Sequence, residues 1–150
     1  MNRIFKPSDI VSYAFSPQEL VHKGVVTQCD IAEVDERYLR PVLGDSLIEA
    51  LATGQYPELK TNYVLPAVAA WCRYVVEPLI ASRCSLCDEL SSVDNERLSI
   101  VMPHLRNKAS TLTRRLSRYL NTHSDMFSEY NPKSNPLNRC SIYGSIIQVH

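Results

Sequence analysis

The fold of this chain is limited first by an almost uninterrupted apolar segment, YVLPAVAAWCRYVVEPLI, at residues 63–80. Its only charged residues are Arg73 and Glu77. A helix that is apolar on all sides, rather than along one stripe, is typical of the centre of a helical bundle. The segment is too short and too interrupted for a membrane span, which needs about 20 apolar residues. We therefore predict a buried core helix.

Two prolines set the limits of this core helix. Proline donates no backbone N–H, so it begins a helix or bends one. The predicted helix runs from Pro66 to Glu77 and continues with a bend through residues 78–84. Trp71, the single tryptophan, lies at its centre, where a large aromatic ring can anchor several neighbours.

The composition favours one helical domain. A chain of 150 residues can bury about two thirds of its surface on folding. Its four glycines are too few for a loop-rich all-β fold. We expect an all-α protein, a compact multi-helix bundle around the central apolar helix, over residues 1–125. Residues 126–150 are expected to form an extended C-terminal tail of the same domain unit, with a short β-strand.

Capping and stop signals predict further helices. Residues 16–19 have the pattern of a capping box, which predicts a short helix that ends at Gly24. Thr27 caps a longer helix that should end at Pro41, because the residue before a proline avoids the α region. The longest predicted helix runs from Glu96 to about Asn121, after a polar loop at residues 84–93. At 100° per residue, its apolar residues all lie within about 60° of Leu105 around the helix axis. They are Leu98, Val101, Leu105, Ala109, Leu112, Leu116, Tyr119 and Leu120.

The C-terminal segment has a different character. Pro132 and Pro136 make it non-helical, and residues 141–149 are β-prone and uncharged. A lone strand leaves its backbone groups unpaired. This strand is therefore expected to pair with residues 3–5 or with another chain.

No sequence pattern points to catalysis, to a metal or to a cofactor. Cys84 and Cys87 have metal-knuckle spacing, but no second pair accompanies them and the histidines are dispersed. The chain has no nucleophile elbow and no phosphate-binding glycine loop. It also has no secretory signal, so we expect reduced thiols in a cytoplasm. The expected protein is not an enzyme and binds no cofactor or metal.

The charges divide into two regions although the net charge is zero. Between residues 97 and 118 there are six cations and no acid: Arg97, Arg106, Lys108, Arg114, Arg115 and Arg118. Between residues 30 and 49 there are six acids and two arginines. The acids are Asp30, Glu33, Asp35, Glu36, Asp45 and Glu49, and the arginines are Arg37 and Arg40. Three interpretations stay open. They are solvated helix faces, nucleic acid bound on the basic helix, and subunits joined acidic face to basic face in a ring.

Several stretches together resemble a known family. They are Asp30-Ile31, then Tyr38-Leu39-Arg40-Pro41-Val42-Leu43-Gly44-Asp45-Ser46-Leu47, Tyr56, and Tyr63-x-x-Pro66-x-x-Ala69, with Phe127-x-x-Tyr130, Leu137-Asn138-Arg139 and Gly144-x-Ile146 near the end. This pattern, from about residue 5 to the end, is similar to the head–tail connector (head-completion, or adaptor) proteins of tailed bacteriophages. It most resembles the versions in crAss-like phages and related prophages.

The resemblance implies a structural protein of the virion without catalytic residues. Such proteins form a ring, typically of twelve copies, under the portal, where the ring extends the DNA channel and docks the tail. The implied partners are other copies of the chain, the portal protein, a downstream tail or second connector protein, and DNA that passes without sequence-specific binding. No membrane is involved. The implied location is the head–tail junction, and the host cytoplasm during assembly.

Three groups of residues are candidates for the subunit and portal interfaces. The acidic group is Asp30, Glu33, Asp35 and Glu36, the basic group is Arg106, Lys108, Arg114, Arg115 and Arg118, and the strand group is Ile142, Tyr143, Ile146 and Ile147. The strand group is expected to add to an exposed sheet edge of the portal or of a neighbour. A lumen must not grip moving DNA, so the basic group is expected between subunits. The alternative is a small helical DNA- or RNA-binding module that uses residues 97–118.

Overall fold

In the computed structural model, the apolar segment forms the middle of a long helix that the other helices contact. The structure describes residues 4–19, 21, 24–83, 92–143 and 146–149. The described chain is mainly helical, so the all-α class predicted from the sequence is confirmed. None of the described helices is both long enough and apolar enough to cross a membrane.

Five helices account for the described part of the bundle. Helix α1 is Pro7–Ala14. Helix α2 joins Gln28–Val34, a π-helical turn at Asp35–Leu39, and Arg40–Leu43. Helix α3 is Asp45–Ala52. Helix α4 joins Pro57–Leu59, a π-helical turn at Lys60–Val64, the regular Leu65–Val76, a 3-10 turn at Glu77–Leu79, and Ile80–Arg83. Helix α5 is Ser92–Thr122.

Proline widens α2 instead of ending it. The π-helical turn Asp35–Leu39 comes just before the Arg40–Leu43 segment that contains Pro41. Proline donates no hydrogen bond and crowds the carbonyl four residues earlier, and a widened turn accommodates both effects. The prediction that this helix ends at Pro41 is therefore wrong. It ends at Gly44, whose φ of 80° is a conformation that glycine adopts without steric cost.

Helices α4 and α5 also extend beyond their predicted limits. The core helix begins before Pro66, because the π-helical turn Lys60–Val64 carries the chain into it. The bend predicted at residue 78 takes the form of the 3-10 turn. Helix α5 begins at Ser92, earlier than the predicted Glu96, and Pro103 lies inside it. Of the loop predicted at 84–93, residues 84–91, with Cys84 and Cys87, lie outside the described residues.

The prediction of a helix from residue 16 to Gly24 is wrong at the start of that range. Residues 16–19 form a turn, in which the Ser16 N–H donates to the Glu19 carboxylate over 2.7 Å. The other oxygen of that carboxylate accepts a hydrogen bond from Arg73 over 2.9 Å. The capping contact therefore forms, but Glu19 is held by α4. Residues 20, 22 and 23 lie outside the described residues.

Trp71 connects three helices at the centre of the core. Its ring stacks on Tyr38 of α2, with the ring centroids 3.8 Å apart. Its indole N–H donates to the hydroxyl of Thr113 in α5 over 2.8 Å. Helix α1 packs on α4 as well. The segment that the sequence marks as central thus contacts α1, α2 and α5.

The first part of the predicted tail belongs to the body. Phe127 and Tyr130 are 4% and 6% exposed, and Asn135 is fully buried. The Asn135 amide donates to the hydroxyls of Ser117, over 2.8 Å, and of Tyr130, over 2.9 Å. An extended tail from residue 126 is therefore wrong for this part, because these contacts hold it against α5.

A 3-10 turn at Pro136–Asn138 follows, and after it come two strands, β1 at Cys140–Tyr143 and β2 at Ile146–Val149. They pair antiparallel, with Cys140 opposite Val149. The two halves of the segment at 141–149 thus pair with each other, where the sequence suggested residues 3–5 as the partner. Phe5 lies in the helical core instead.

Candidate functional site

A groove with an apolar floor and an acidic rim lies between α2, α3 and α4. Its volume is about 420 Å³. Its apolar lining comes from all three helices and from the segment before α1. These residues are Ile4, Phe5, Ile31, Ala32, Leu39, Leu43, Ile48, Val64 and Val68. We call this feature the acidic groove.

The rim of the acidic groove carries an excess of negative charge. Its carboxylates are Asp35, Glu36, Asp45 and Glu49, and Arg40 is the basic residue among the lining residues. The Arg40 Nε atom lies 2.9 Å from a Glu36 oxygen, and the guanidinium also pairs with Asp45. One arginine cannot neutralise four carboxylates. The rim therefore attracts positively charged groups.

Asp35 is the rim carboxylate most removed from water among those that pair with Arg40. Its side chain is 31% exposed, whereas Glu36 and Asp45 are 71% and 78% exposed. Burial raises the pKa of Asp35, the Glu36 and Asp45 charges raise it further, and Arg40 opposes them only in part. A second cation at this position would therefore stabilise the ionised carboxylate.

The structure separates the four acidic residues predicted for the interface. Asp35 and Glu36 line the groove. Glu33 is exposed and pairs within its own helix. Asp30 is 5% exposed and accepts hydrogen bonds from Arg83 over 2.6 and 3.0 Å. Asp30 therefore contributes to the fold, and little of its side chain is exposed.

Asp45 and Glu49 complete the rim and were not among the predicted interface residues. The sequence marks both as part of the acidic region, but it does not place them beside Asp35. The turn at Gly44 brings α3 back along α2, and this turn puts them on the rim. The apolar floor was missed because apolar residues in a groove have the same periodicity as residues in a core.

Helix α5 changes its surroundings at Ala109. From Ala109 onward its apolar stripe packs on the core, with Leu116 and Leu120 fully buried and Tyr119 partly so. Between residues 97 and 108, no residue of α5 is classed as buried. We call residues 97–108 the α5 overhang.

One face of the α5 overhang is apolar and continues the stripe that packs on the core from Ala109 onward. Leu98, Val101, Met102 and Leu105 recur at i, i+3, i+4 and i+7, which places them on one helix face. All four are half-buried, and none packs against the described core. Ile100 lies off this face and is 61% exposed. The buried core of the described chain thus does not extend to these four side chains, each of which keeps part of its surface exposed.

Cations flank this apolar face. At 100° per residue, Arg106 and Lys108 lie on opposite sides, each roughly 80° from the centre of the face. Both are exposed, and neither forms an ion pair with a described residue. Arg97 lies 3.0 Å from the buried carboxylate of Glu77, which fixes the overhang to α4.

The other predicted basic residues lie on the second half of α5. Arg115 lies over the ring of Tyr63, 4.9 Å from its centroid, so it contributes to packing. Arg114 and Arg118 are exposed and border a shallow polar depression together with Asn121. The structure thus places Arg106 and Lys108 on the overhang and Arg114 and Arg118 outside it.

The predicted strand residues lie on the two strands, for which the structure describes the backbone alone. They are Ile142 and Tyr143 on β1, and Ile146 and Ile147 on β2. In the described part of the chain, no three His, Cys, Asp or Glu residues are grouped as a metal site. The acidic groove suits the binding of an apolar segment with basic flanks.

Comparisons with protein-family models, with curated proteins and with solved structures found no match.

Proposed function

We propose that this chain is a structural subunit of a head–tail connector, which forms a ring under a phage portal, extends the DNA channel and docks the tail. The observation that carries the proposal is the presence, in one chain, of two different and complementary surfaces. One is the acidic groove, and the other is the α5 overhang. Neither surface needs a cofactor or a reaction to explain its residues.

Two different complementary patches favour a head-to-tail association. When a patch on one copy meets another patch on the next copy, every copy keeps one free patch of each kind. Such a chain of contacts closes into a ring if the rotation between copies is suitable. Twelve copies, the number typical of connectors, is the number that we propose.

The resemblance to connector proteins is concentrated in the wall of the acidic groove. The stretch at residues 38–47 forms the end of α2 and the start of α3. Leu39, Arg40, Leu43 and Asp45 of this stretch line the groove. The part of the sequence that most resembles the family is thus the part that we propose to contact a neighbouring subunit.

The C-terminal strands are the proposed contact with the portal. The two strands form a sheet of their own, so each has an outer edge without a pairing strand in the described chain. An exposed edge can accept a strand from another protein. We propose that Ile142, Tyr143, Ile146 and Ile147 lie at this contact. The further proposed partner is a tail or second connector protein on the opposite side, at the head–tail junction of the virion.

Electron microscopy of the chain mixed with its portal protein tests this function. We expect a ring of density on the portal that continues its channel. A chain truncated after Asn138 should lose this ring and keep its helical circular dichroism signal, because Asn135 and the helices remain. A portal that stays bare with the full-length chain would contradict the proposed function.

A nucleic-acid-binding module is the second candidate. Arg114 and Arg118 are exposed and form no ion pair with a described residue, and α5 carries no acid from residue 97 onward. Gel retardation with duplex DNA at 50 and 200 mM salt separates the candidates. Binding that is tight at low salt, weakens steeply with salt, and is lost in Arg114→Gln/Arg118→Gln supports this candidate, because phosphate contacts release counterions. A connector should show no such binding.

A further inference from the structure

We propose that the α5 overhang of one copy docks in the acidic groove of a second copy. This inference rests on the proposed function, because it names the contact between adjacent subunits of the ring. The occupant of the groove is thus another molecule of the same chain, bound as an amphipathic helix in an apolar groove. The argument has three steps: position, shape and charge.

The positions of the two surfaces exclude docking within one chain. The groove contacts α4 at Val64 and Val68, whereas the overhang is fixed to α4 at Glu77. Glu77 is nine residues after Val68 along α4, a rise of about 14 Å. The overhang continues as the same helix into the packed half of α5, so it cannot fold back. A groove can therefore receive the overhang of another copy only.

The apolar parts have matching forms. The overhang presents a face of Leu98, Val101, Met102 and Leu105, the spacing by which a helix inserts anchors into a groove. The groove offers an apolar floor along α2, α3 and α4. Docking covers the part of the four side chains that is still exposed, whereas most floor residues are at most 8% exposed already, so the apolar area removed from water comes mainly from the overhang.

The charges match in the same orientation. Arg106 and Lys108 flank the apolar face of the overhang, and carboxylates flank the apolar floor of the groove. Docking therefore places cations beside Asp35 and Glu36 while the apolar face enters the floor. A cation beside Asp35 also offsets the burial that raises the pKa of this carboxyl group.

Two charge-reversal variants test the contact, one on each surface. Arg106→Glu/Lys108→Glu changes the overhang, and Glu36→Lys/Glu49→Lys changes the rim; all four residues are exposed. The readout is the dissociation constant for self-association, from sedimentation velocity up to about 0.5 mM protein. We expect the wild type to associate and each variant to associate at least tenfold more weakly. A mixture of the two variants should associate again, because each reversed surface then meets an opposite charge.

Matched controls carry the same charge change elsewhere. Arg114→Glu/Arg118→Glu lies on α5 outside the overhang, and Glu33→Lys/Glu58→Lys changes two exposed acids outside the groove. Both should associate like the wild type. Thermal unfolding of each variant shows whether it is folded. If a rim variant does not fold, the overhang variant and the mixing of wild type with it still measure the contact.

Three results of the self-association measurements overturn the inference. They are a wild type that stays monomeric at 0.5 mM, an association that neither variant weakens, and an association that the controls weaken equally. If the overhang or the groove instead binds the portal protein, the contact belongs to that partner and the inference is also wrong. A ring on the portal in electron micrographs, together with any of these results, would leave the proposed function intact and reject this contact alone.

Discussion

Arg83, in the last segment of α4, donates hydrogen bonds over 2.6 and 3.0 Å to the carboxylate of Asp30, in the first turn of α2. The same carboxylate accepts the N–H of Thr27 over 2.7 Å, so one acid both caps its helix and binds a distant arginine. Asp30 is almost fully buried. This pair fixes where α2 lies on α4, and α2 is one wall of the acidic groove.

Replacement of Asp30 by Asn should lower the free energy of unfolding by about 2 kcal/mol, because it leaves the Arg83 guanidinium without its counter-charge. Urea unfolding at pH 7 measures this change. Glu33→Gln, on the same helix, removes an exposed ion pair with Arg37 and should cost less than about 0.5 kcal/mol. Equal effects of the two substitutions would show that Asp30 is not a structural acid.

The difference in the free energy of unfolding between the wild type and Asp30→Asn should disappear at acidic pH. Burial alone would raise the pKa of Asp30, but hydrogen bonds from Arg83 and Thr27 outweigh it and lower this pKa below the ordinary 3.8. A lowered folded pKa gives stability that is present above pH 3.8 and lost as the pH falls through the folded value. Urea unfolding at pH 7, 5 and 3 should show the gap closing only at the lowest pH. A gap that stays constant would contradict the assignment.

Asp35→Asn should stabilise the folded chain at pH 7, whereas Asp30→Asn should destabilise it. Burial raises the pKa of Asp35, so ionisation of this carboxyl group in the folded chain costs stability as the pH rises through the folded value. The variant should unfold at a higher Tm than the wild type at pH 7, and at the same Tm at pH 3, where both side chains are neutral. Calorimetry at the two pH values measures it. A lower Tm at pH 7 would mean that the Arg40 pair outweighs the burial.

Thr113→Val should lower the free energy of unfolding by about 1–2 kcal/mol. The substitution keeps the shape of the side chain and leaves the buried Trp71 N–H without its acceptor. Urea unfolding followed by the fluorescence of Trp71, the single tryptophan, reports both the stability and the surroundings of the ring. Thr111→Val, on an exposed position of the same helix, is the control and should change little.

Asn135→Ala should loosen the segment after α5. It removes the donor to the Ser117 and Tyr130 hydroxyls and the acceptor of the Leu137 N–H. We expect a loss of about 2 kcal/mol and faster hydrogen exchange of the Leu137 amide. Asn107→Ala, at an exposed position, should alter neither quantity. Unchanged exchange at Leu137 would mean that other contacts hold the segment.

Much of the helical framework follows from the sequence, because helices depend on local periodicity and caps. The apolar segment around Trp71 and the stripe around Leu116 both form the helices that their spacing predicts. The errors lie where proline or a tertiary partner intervenes. Pro41 was expected to end α2, yet a π-helical turn absorbs it. Glu19 forms its predicted capping contact, yet Arg73 holds it in a turn.

The candidate site divides in the same way. Charge segregation between residues 30–49 and 97–118 is a property of the sequence alone, and so is the apolar stripe of α5. Only the tertiary structure decides that Asp30 is buried while Asp35 borders a groove, because it determines which face of α2 packs on α4. Only the structure shows that the buried part of the α5 stripe ends at Ala109, while the stripe itself continues to Leu98. Periodicity records which face of a helix is apolar, but packing against other helices determines how much of that face is covered.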